Sequence, residues 1–255
     1  MAEEILRRLI LLNRRIGEVT HMYKRTEKIF EDMAQNALAL DDDFHFKCKA
    51  CGKCCKSRHD ILLTTRDLYS IAHSLHRTTS YVVDRYCDTY IGKDSRIPIV
   101  RLKPKGPEES CPLLRGKRCI VHTSKPVVCA IYPLGRAAIF EQAGKIEPKY
   151  FFQSDACGSR EQAHTVRSWL SQFGIPVEDE FFLLWTEMST LTSTRFRERE
   201  SQGTPDKSME RLWNIAFFHM YINYDTGKDL IPQYQENMAI LRELLANMGE
   251  VADHA

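Results

Sequence analysis

The residues with the clearest chemical potential are the cysteines of the run Cys48-Lys-Ala-Cys51-Gly-Lys-Cys54-Cys55. A C-x2-C loop brings two sulfurs to one metal ion in a tight turn with backbone amides facing them, and Gly52 supplies the freedom that the turn requires. Three cysteines at this spacing also match the run that holds three corners of a [4Fe-4S] cluster, whose fourth ligand comes from a distant position. The run therefore predicts a metal centre.

Later cysteines supply enough thiols for a second set of ligands. Adjacent side chains usually diverge, so Cys54 and Cys55 are not expected to complete one tetrahedral site together, which favours two centres. The predicted ligands are Cys48, Cys51, Cys54, Cys55, Cys111, Cys119, Cys129 and Cys157. Iron-sulfur clusters, one or two and of the [4Fe-4S] type, and zinc all use thiolates, so the spacing does not decide between them.

The remaining cysteine, Cys87, is predicted to be an ordinary buried thiol. A helix that Thr79 or Ser80 can cap is expected to run through about Ile91, which places Cys87 inside the helix and one turn after Val83. This residue is therefore not counted among the metal ligands.

The composition favours metal binding over disulfide formation. The N-terminus lacks the apolar region of a signal peptide, and no run approaches ~18 apolar residues, so we expect a cytoplasmic protein without a membrane segment. Disulfides are rare in that reducing compartment. The 36 Lys and Arg residues against 34 Asp and Glu residues leave a formal charge of +2, which makes nucleic-acid binding unlikely as a general property.

Basic residues interleave the first cysteine run. Lys47, Lys49, Lys53, Lys56 and Arg58 could offset the negative charge that thiolates accumulate around a metal. The alternative interpretation is a solvated loop that carries lysines, and the sequence leaves both open.

Hydrophobic periodicity predicts a mainly α protein with a small β element, built around a loop-rich cysteine lobe. Residues 1–44 are expected to form one long helix with a narrow apolar seam, which packs on the same chain or provides a contact for a protein partner or a homodimer. Residues 45–160 are the predicted metal-binding domain, and residues 161–255 are the predicted C-terminal helical region.

Local signals place further elements around the cysteines. Thr64 and Asp67 fit a capping box for a helix through about Leu75. The predicted strands are 97–102 and a hairpin of 137–140 with 149–152, and the predicted later helices are 159–173, 177–200, 207–224 and 232–248.

The cysteine run and the motifs that follow it resemble the YkgJ-type cysteine-cluster proteins, a family of zinc- or iron-chelating domains marked by a CxxCxxCC run. The matching motifs are Ile61-Leu-Leu-Thr64-Thr-Arg-Asp67-Leu, Cys111-Pro-Leu-Leu, Lys117-Arg-Cys119-Ile-Val-His122 and Lys125-Pro126-Val-Val-Cys129-Ala-Ile-Tyr-Pro133. The resemblance spans roughly residues 45–160. The chain departs from it at His122 and at Lys125-Pro126, where the family commonly has an aromatic residue and then Arg-Pro.

Three functions follow from the cysteines and the resemblance. The first is a redox or sensing module that holds iron-sulfur clusters, and the second is a zinc-binding structural or chelating protein. The third is an iron-sulfur-dependent protein-modifying enzyme, because a weaker resemblance reaches the flagellin lysine N-methylases. The sequence contains no P-loop, no G-x-G-x-x-G loop, no H-E-x-x-H and no G-x-S-x-G, so no catalytic residue is assigned.

Overall fold

The computed structural model describes residue 33 and residues 35–140, 145–153 and 157–247. Most of the long helix predicted for residues 1–44, with its partner or homodimer contact, lies outside these residues. Within them, the end of the predicted helix is wrong, because Ala37–Leu38 is a strand that pairs with Tyr150 and Phe151.

Helices and short strands alternate along the described chain. The helices are α1 Thr65–Ser74, α2 Thr79–Tyr86, α3 Val127–Ala130, α4 Val166–Gln172, α5 Glu180–Ser201, α6 Asp206–Phe217 and α7 Leu230–Asn247. The strands are β1 Ala37–Leu38, β2 Asp43–Lys47, β3 Leu62–Leu63, β4 Cys87–Ile91, β5 Pro98–Leu102, β6 Leu114–Arg115, β7 Arg118–Cys119, β8 Leu134–Phe140, β9 Ile146–Phe152 and β10 Ser159–Thr165.

The strands form four small antiparallel sheets in the described part of the chain. Their orders are β1-β9-β8, β10-β2, β3-β5-β4 and β6-β7. The expected mainly α fold with a small β element is therefore wrong, and the protein mixes helices with several sheets. These strands are only two to seven residues long, and some of them, such as β10 and β2, pair with partners far away in the chain, so the sequence pattern showed mainly the helical periodicity.

The helix predicted at residues 159–173 is wrong in its first half. Strand β10 occupies Ser159–Thr165 and pairs with β2, so that His164 lies opposite Phe44. Helix α4 begins only at Val166, after a capping box between Thr165 and Ser168. The residues of β10 favour a helix locally, and a long-range strand partner overrides that preference.

The helix predicted to contain Cys87 ends earlier than expected. Helix α2 stops at Tyr86, and Cys87 begins strand β4, where it pairs with Leu102. The aromatic and β-branched residues that follow suit a strand beside the buried strand β5. Cys87 is half-buried and packs against the core.

Several local predictions are confirmed. Thr64 and Asp67 form a reciprocal capping box at the start of α1, strand β5 covers most of 97–102, and β8 and β9 form the predicted hairpin. The helix predicted over 207–224 changes to a π-helical segment at Phe218–Ile222. None of the helices in the described ranges is long and apolar enough to cross a membrane.

Two clusters of buried side chains make up the core. The larger cluster joins α1, α2, β3 and β5 to the later helices through residues such as Leu68, Val100 and Met220. The smaller cluster lies around Trp169 and includes residues of β2, β8 and β9. Cysteine-bearing segments border both clusters, since Cys111, Cys119 and Cys129 pack on the larger and Cys157 on the smaller.

A buried ion network joins distant elements. Asp179, with 2% of its side chain exposed, accepts hydrogen bonds from Arg66 of α1 at 2.7 Å and from Arg136 of β8 at 2.7 Å. It also caps α5 by accepting from the Phe182 N–H. The carboxylate therefore links a helix of the larger cluster, a strand beside the smaller cluster and the start of the longest described helix.

Candidate metal centre

The first cysteine segment follows strand β2 as a tight loop. Gly52 adopts a left-handed conformation with φ +71°, as its position in the run predicts, and a 3-10 turn then covers Lys53–Cys55. The Ala50 N–H donates to Cys48 Sγ at 3.4 Å, which is the amide-to-sulfur arrangement expected of a C-x2-C loop. Cys48 and Cys51 are exposed, whereas Cys54 and Cys55 are half-buried.

The second cysteine segment is held directly against the first. The Cys111 N–H donates to the Cys55 carbonyl at 2.7 Å. The short β6-β7 hairpin then returns the chain, so that Cys119 lies opposite Leu114.

Cys129 lies on the single-turn helix α3, whose position is fixed by Asp67. The Oδ1 atom of Asp67 accepts from the Val127 N–H at 2.8 Å, while Oδ2 accepts from the Thr64 N–H and hydroxyl. The capping carboxylate of α1 therefore also anchors the helix that carries Cys129. The sequence predicted its capping role but gave no signal for this second contact.

All eight predicted ligand cysteines line one cavity of about 530 Å³. They are Cys48, Cys51, Cys54, Cys55, Cys111, Cys119, Cys129 and Cys157, which reach it from separate stretches of the chain. Cys87 does not line this cavity. Among the described residues, no three His, Cys, Asp or Glu side chains come together closely enough to hold a metal ion, so the thiols surround a space and do not meet at a point.

A family comparison covers the same stretch of chain. Residues 47–157 match the model of the family CxxCxxCC, described as "Putative zinc- or iron-chelating domain". We refer to this stretch as the CxxCxxCC domain, after the family model that it matches. The match begins just before the first cysteine of the cavity and ends at the last, and it confirms the resemblance drawn from the sequence motifs. No curated protein and no solved structure matched the chain.

The thiol of Cys54 lies near two other thiols of the CxxCxxCC domain. The side chains of Cys55 and Cys157 both act on the pKa of Cys54. The Cys54 and Cys55 thiols therefore lie closer together in the 3-10 turn than the divergence expected of neighbouring side chains. The assignment of these two cysteines to different centres stays a prediction.

Burial and crowding disfavour thiolates while no cation is present. The hydrogen bond with Cys55, together with burial, raises the pKa of Cys54. Burial also raises the pKa of Cys111, Cys119, Cys129 and Cys157, and neighbouring cysteines add to each increase. A metal ion reverses this effect, because it binds the deprotonated sulfur and compensates the repulsion.

The cations at the cavity match those that the sequence indicated only in part, since Lys49 and Arg58 line it but Lys47, Lys53 and Lys56 do not. Three of the indicated cations are in ion pairs: Lys47 with Glu161, Lys56 with Glu108 and Arg58 with Asp60. The described residues that line the cavity include Lys49, Lys117, Arg118 and Lys125 but no Asp or Glu. The positive charge of Lys125 acts to lower the pKa of both Cys54 and Cys119.

Two further residues with polar side chains line the cavity beside the cysteines. Tyr132 hydrogen-bonds with the Cys157 thiol and lines the cavity. His122 lines it as well, and burial, with the charges of Lys125 and Arg118, lowers the pKa of His122. Both belong to the motifs that carry the family resemblance, but the spacing of those motifs does not show which side chains face the cysteines.

Proposed function

We propose that the CxxCxxCC domain holds one or two iron-sulfur clusters, of the [4Fe-4S] type, in a cytoplasmic protein with a redox or sensing role. The observation that carries this proposal is the convergence of the eight cysteines on one cavity. Thiolate ligation by a CxxC-rich run and distant cysteines is the usual way in which proteins hold such clusters.

The size of the cavity favours a polynuclear centre over a single ion. Zinc draws four sulfurs to about 2.3 Å from one point, which leaves no void between them. The cysteines here line a space of about 530 Å³, and no three of the described candidate ligands converge on a point. A cluster of several atoms would occupy such a space with less movement of the surrounding loops.

The charges at the cavity also support an anionic centre. Clusters and zinc sites with four thiolates both carry net negative charge, which nearby cations stabilise. Lys49, Lys117, Arg118 and Lys125 supply that charge from two segments of the domain.

A structural zinc site is the second candidate. It is favoured by the position of the Cys54 thiol, whose pKa responds to both Cys55 and Cys157. Closure of the Cys51 loop onto these three would complete a tetrahedral set of four thiolates.

Metal analysis of protein purified without oxygen decides between the two candidates. We expect a brown protein with broad visible absorption, acid-labile sulfide, and about four irons per chain for one cluster or about eight for two. A colourless protein with stoichiometric zinc and no sulfide would overturn the iron-sulfur proposal and support the zinc site. A protein that retains neither metal under these conditions would contradict both.

A further inference from the structure

A second, polar cavity lies directly beside the cysteine cavity. It has a volume of about 410 Å³ and is lined by α1, by the 3-10 turn His122–Ser124 and by residues 172–175. We call it the adjacent pocket. His122 and Lys125 line both cavities and form a shared wall between them.

The adjacent pocket offers hydrogen-bond donors and few free acceptors. Its hydroxyl groups come from Ser70, Thr123 and Ser124. Its one carboxylate among the described lining residues, Asp67, already accepts from the Val127 N–H with Oδ1 and from Thr64 with Oδ2. A ligand that enters the pocket therefore meets hydroxyl groups that can donate to it, and the one carboxylate of the described lining is already engaged.

Of the two cations that line the pocket, Lys125 has no ion-pair partner among the described residues, whereas Arg66 pairs with Asp179. Within the described residues, no carboxylate lies within 4.0 Å of the Lys125 ammonium, which is 4.5 Å from the centroid of the Phe173 ring. Arg66 shares the single carboxylate of Asp179 with Arg136, and its Nε is buried without a hydrogen-bond partner in the described structure. Lys125 is therefore the cation of the described lining residues that is available to an anionic ligand.

We propose that the adjacent pocket binds a small oxyanion, the phosphate or carboxylate group of a low-molecular-weight ligand. Lys125 supplies the charge, and Thr123 and Ser124 supply hydroxyl donors. The volume exceeds that of a bare anion, so the pocket also has room for the rest of a small molecule. This inference goes beyond the proposed function, because the pocket is formed without any metal ligand.

The test is calorimetric titration of the purified full-length protein with inorganic phosphate and, separately, with acetate in a chloride buffer. We expect saturable binding of at least one of the two at a single site, and the preferred anion identifies the group. Lys125→Gln should weaken that binding about tenfold or more, because a charged hydrogen bond contributes about 1.5–3 kcal/mol. Lys93→Gln, which removes an exposed lysine outside the pocket, should leave it unchanged.

A variant that blocks the pocket provides a second test of anion binding if Lys125→Gln does not fold. Thr123→Trp should fill the pocket and abolish binding while Lys125 stays in place, and circular dichroism checks the fold of each variant. Absence of saturable binding to either anion, or equal losses in Lys93→Gln and Lys125→Gln, would overturn the proposal. Metal content is measured in the same samples, so anion binding that depends on Lys125 in a metal-free protein would support the pocket while contradicting the proposed function.

Discussion

Lys125 lies between the cysteine cavity and the adjacent pocket and lines both. Its ammonium favours the thiolate forms of Cys54 and Cys119 on one side and lines the adjacent pocket on the other. One fixed charge therefore acts on both cavities. At the scale of single residues, the cysteine cavity is thus an apolar space whose charge is set by a few lysines and arginines.

The ligand assignment predicts different effects for two cysteine substitutions. Cys51→Ser should lower the metal content by roughly half or more and reduce the soluble yield, because metal-binding energy is also folding energy for the segments that it joins. Cys87→Ser is the matched control, since Cys87 is half-buried but does not line the cavity. Metal analysis of both purified variants checks this, and equal metal loss would contradict the assignment.

Metal affinity should increase with pH. The pKa of the Cys111 thiol and that of the Cys129 thiol are raised by burial, so both are protonated near neutrality in the metal-free protein. Each proton released on binding makes the apparent affinity rise about tenfold per pH unit below the thiol pKa. Competition with a chelator at several pH values around neutrality measures the slope, and a pH-independent affinity would show that these thiols are not ligands.

The elements around the cavity are short, and their positions depend on a few contacts between distant residues. Helix α3 is only one turn long, so its orientation rests on the hydrogen bond from Val127 to Asp67. The loop of the first cysteines rests on Gly52 and on the bond from Cys111 to Cys55. Small elements of this kind gain their stability from tertiary contacts and not from local propensity.

Asp67→Asn tests the link between α1 and α3. The amide NH2 group would replace one carboxylate oxygen and face an N–H group from which that oxygen now accepts a hydrogen bond, which should cost about 1–3 kcal/mol of unfolding free energy. Because Cys129 lies on α3, metal content should fall as well. Urea denaturation and metal analysis provide the two measurements.

Thr78→Ala is the matched control for this change. Thr78 caps α2 by accepting from the Tyr81 N–H, and in the described part of the chain its side chain hydrogen-bonds only within α2. The Thr78→Ala variant should lose about 1 kcal/mol of unfolding free energy and keep its metal. Retention of metal in Asp67→Asn at a similar loss of stability would contradict the anchoring role.

Sequence patterns identified the elements that depend on neighbours in the chain. The capping box of Thr64 and Asp67 and the hairpin of β8 with β9 are local, and both were predicted. Strand β10 was missed because its partner, β2, lies more than a hundred residues away. The candidate ligands were named from spacing, whereas the contribution of Lys125 and the second contact of Asp67 arise only from tertiary packing.

At the scale of the whole molecule, the CxxCxxCC domain shares its core with the helices that follow it. Residues of β3 and β5 and residues of α5, α6 and α7 belong to one buried cluster. Strand β10 crosses residue 160, the predicted boundary between the metal-binding domain and the C-terminal region. The cysteine cavity is therefore supported by side chains from well outside the family match.

The Asp179 network predicts a stability loss at acid pH. Burial opposes ionisation, but the Arg66 and Arg136 guanidiniums outweigh it and hold the pKa of Asp179 below its usual value. The folded state thus gains stability that is fully present above the unfolded pKa of about 3.9 and is lost as the pH falls through the lower folded pKa. Asp179→Asn should remove this dependence and cost about 3 kcal/mol near neutrality.

Urea denaturation of the wild type and of Asp179→Asn at several pH values measures this effect. The comparison of metal-loaded with metal-depleted samples separates the protonation of Asp179 from the protonation of the thiols. Asp41→Asn is the control, because Asp41 forms an exposed pair with Arg167 and should change stability little. Parallel pH curves for wild type and Asp179→Asn would contradict the role of the network.

The distance along the chain between the first and last cysteines of the cavity has a consequence for biosynthesis. Cys48 leaves the ribosome well before Cys157, and synthesis at about 5–20 residues per second separates them by roughly 5 to 20 s. During that interval the early thiols have no partners from the later segments. A centre built on all eight sulfurs can close only after Cys157 has emerged, so the nascent chain must be kept from oxidation and from unsuited metals until then.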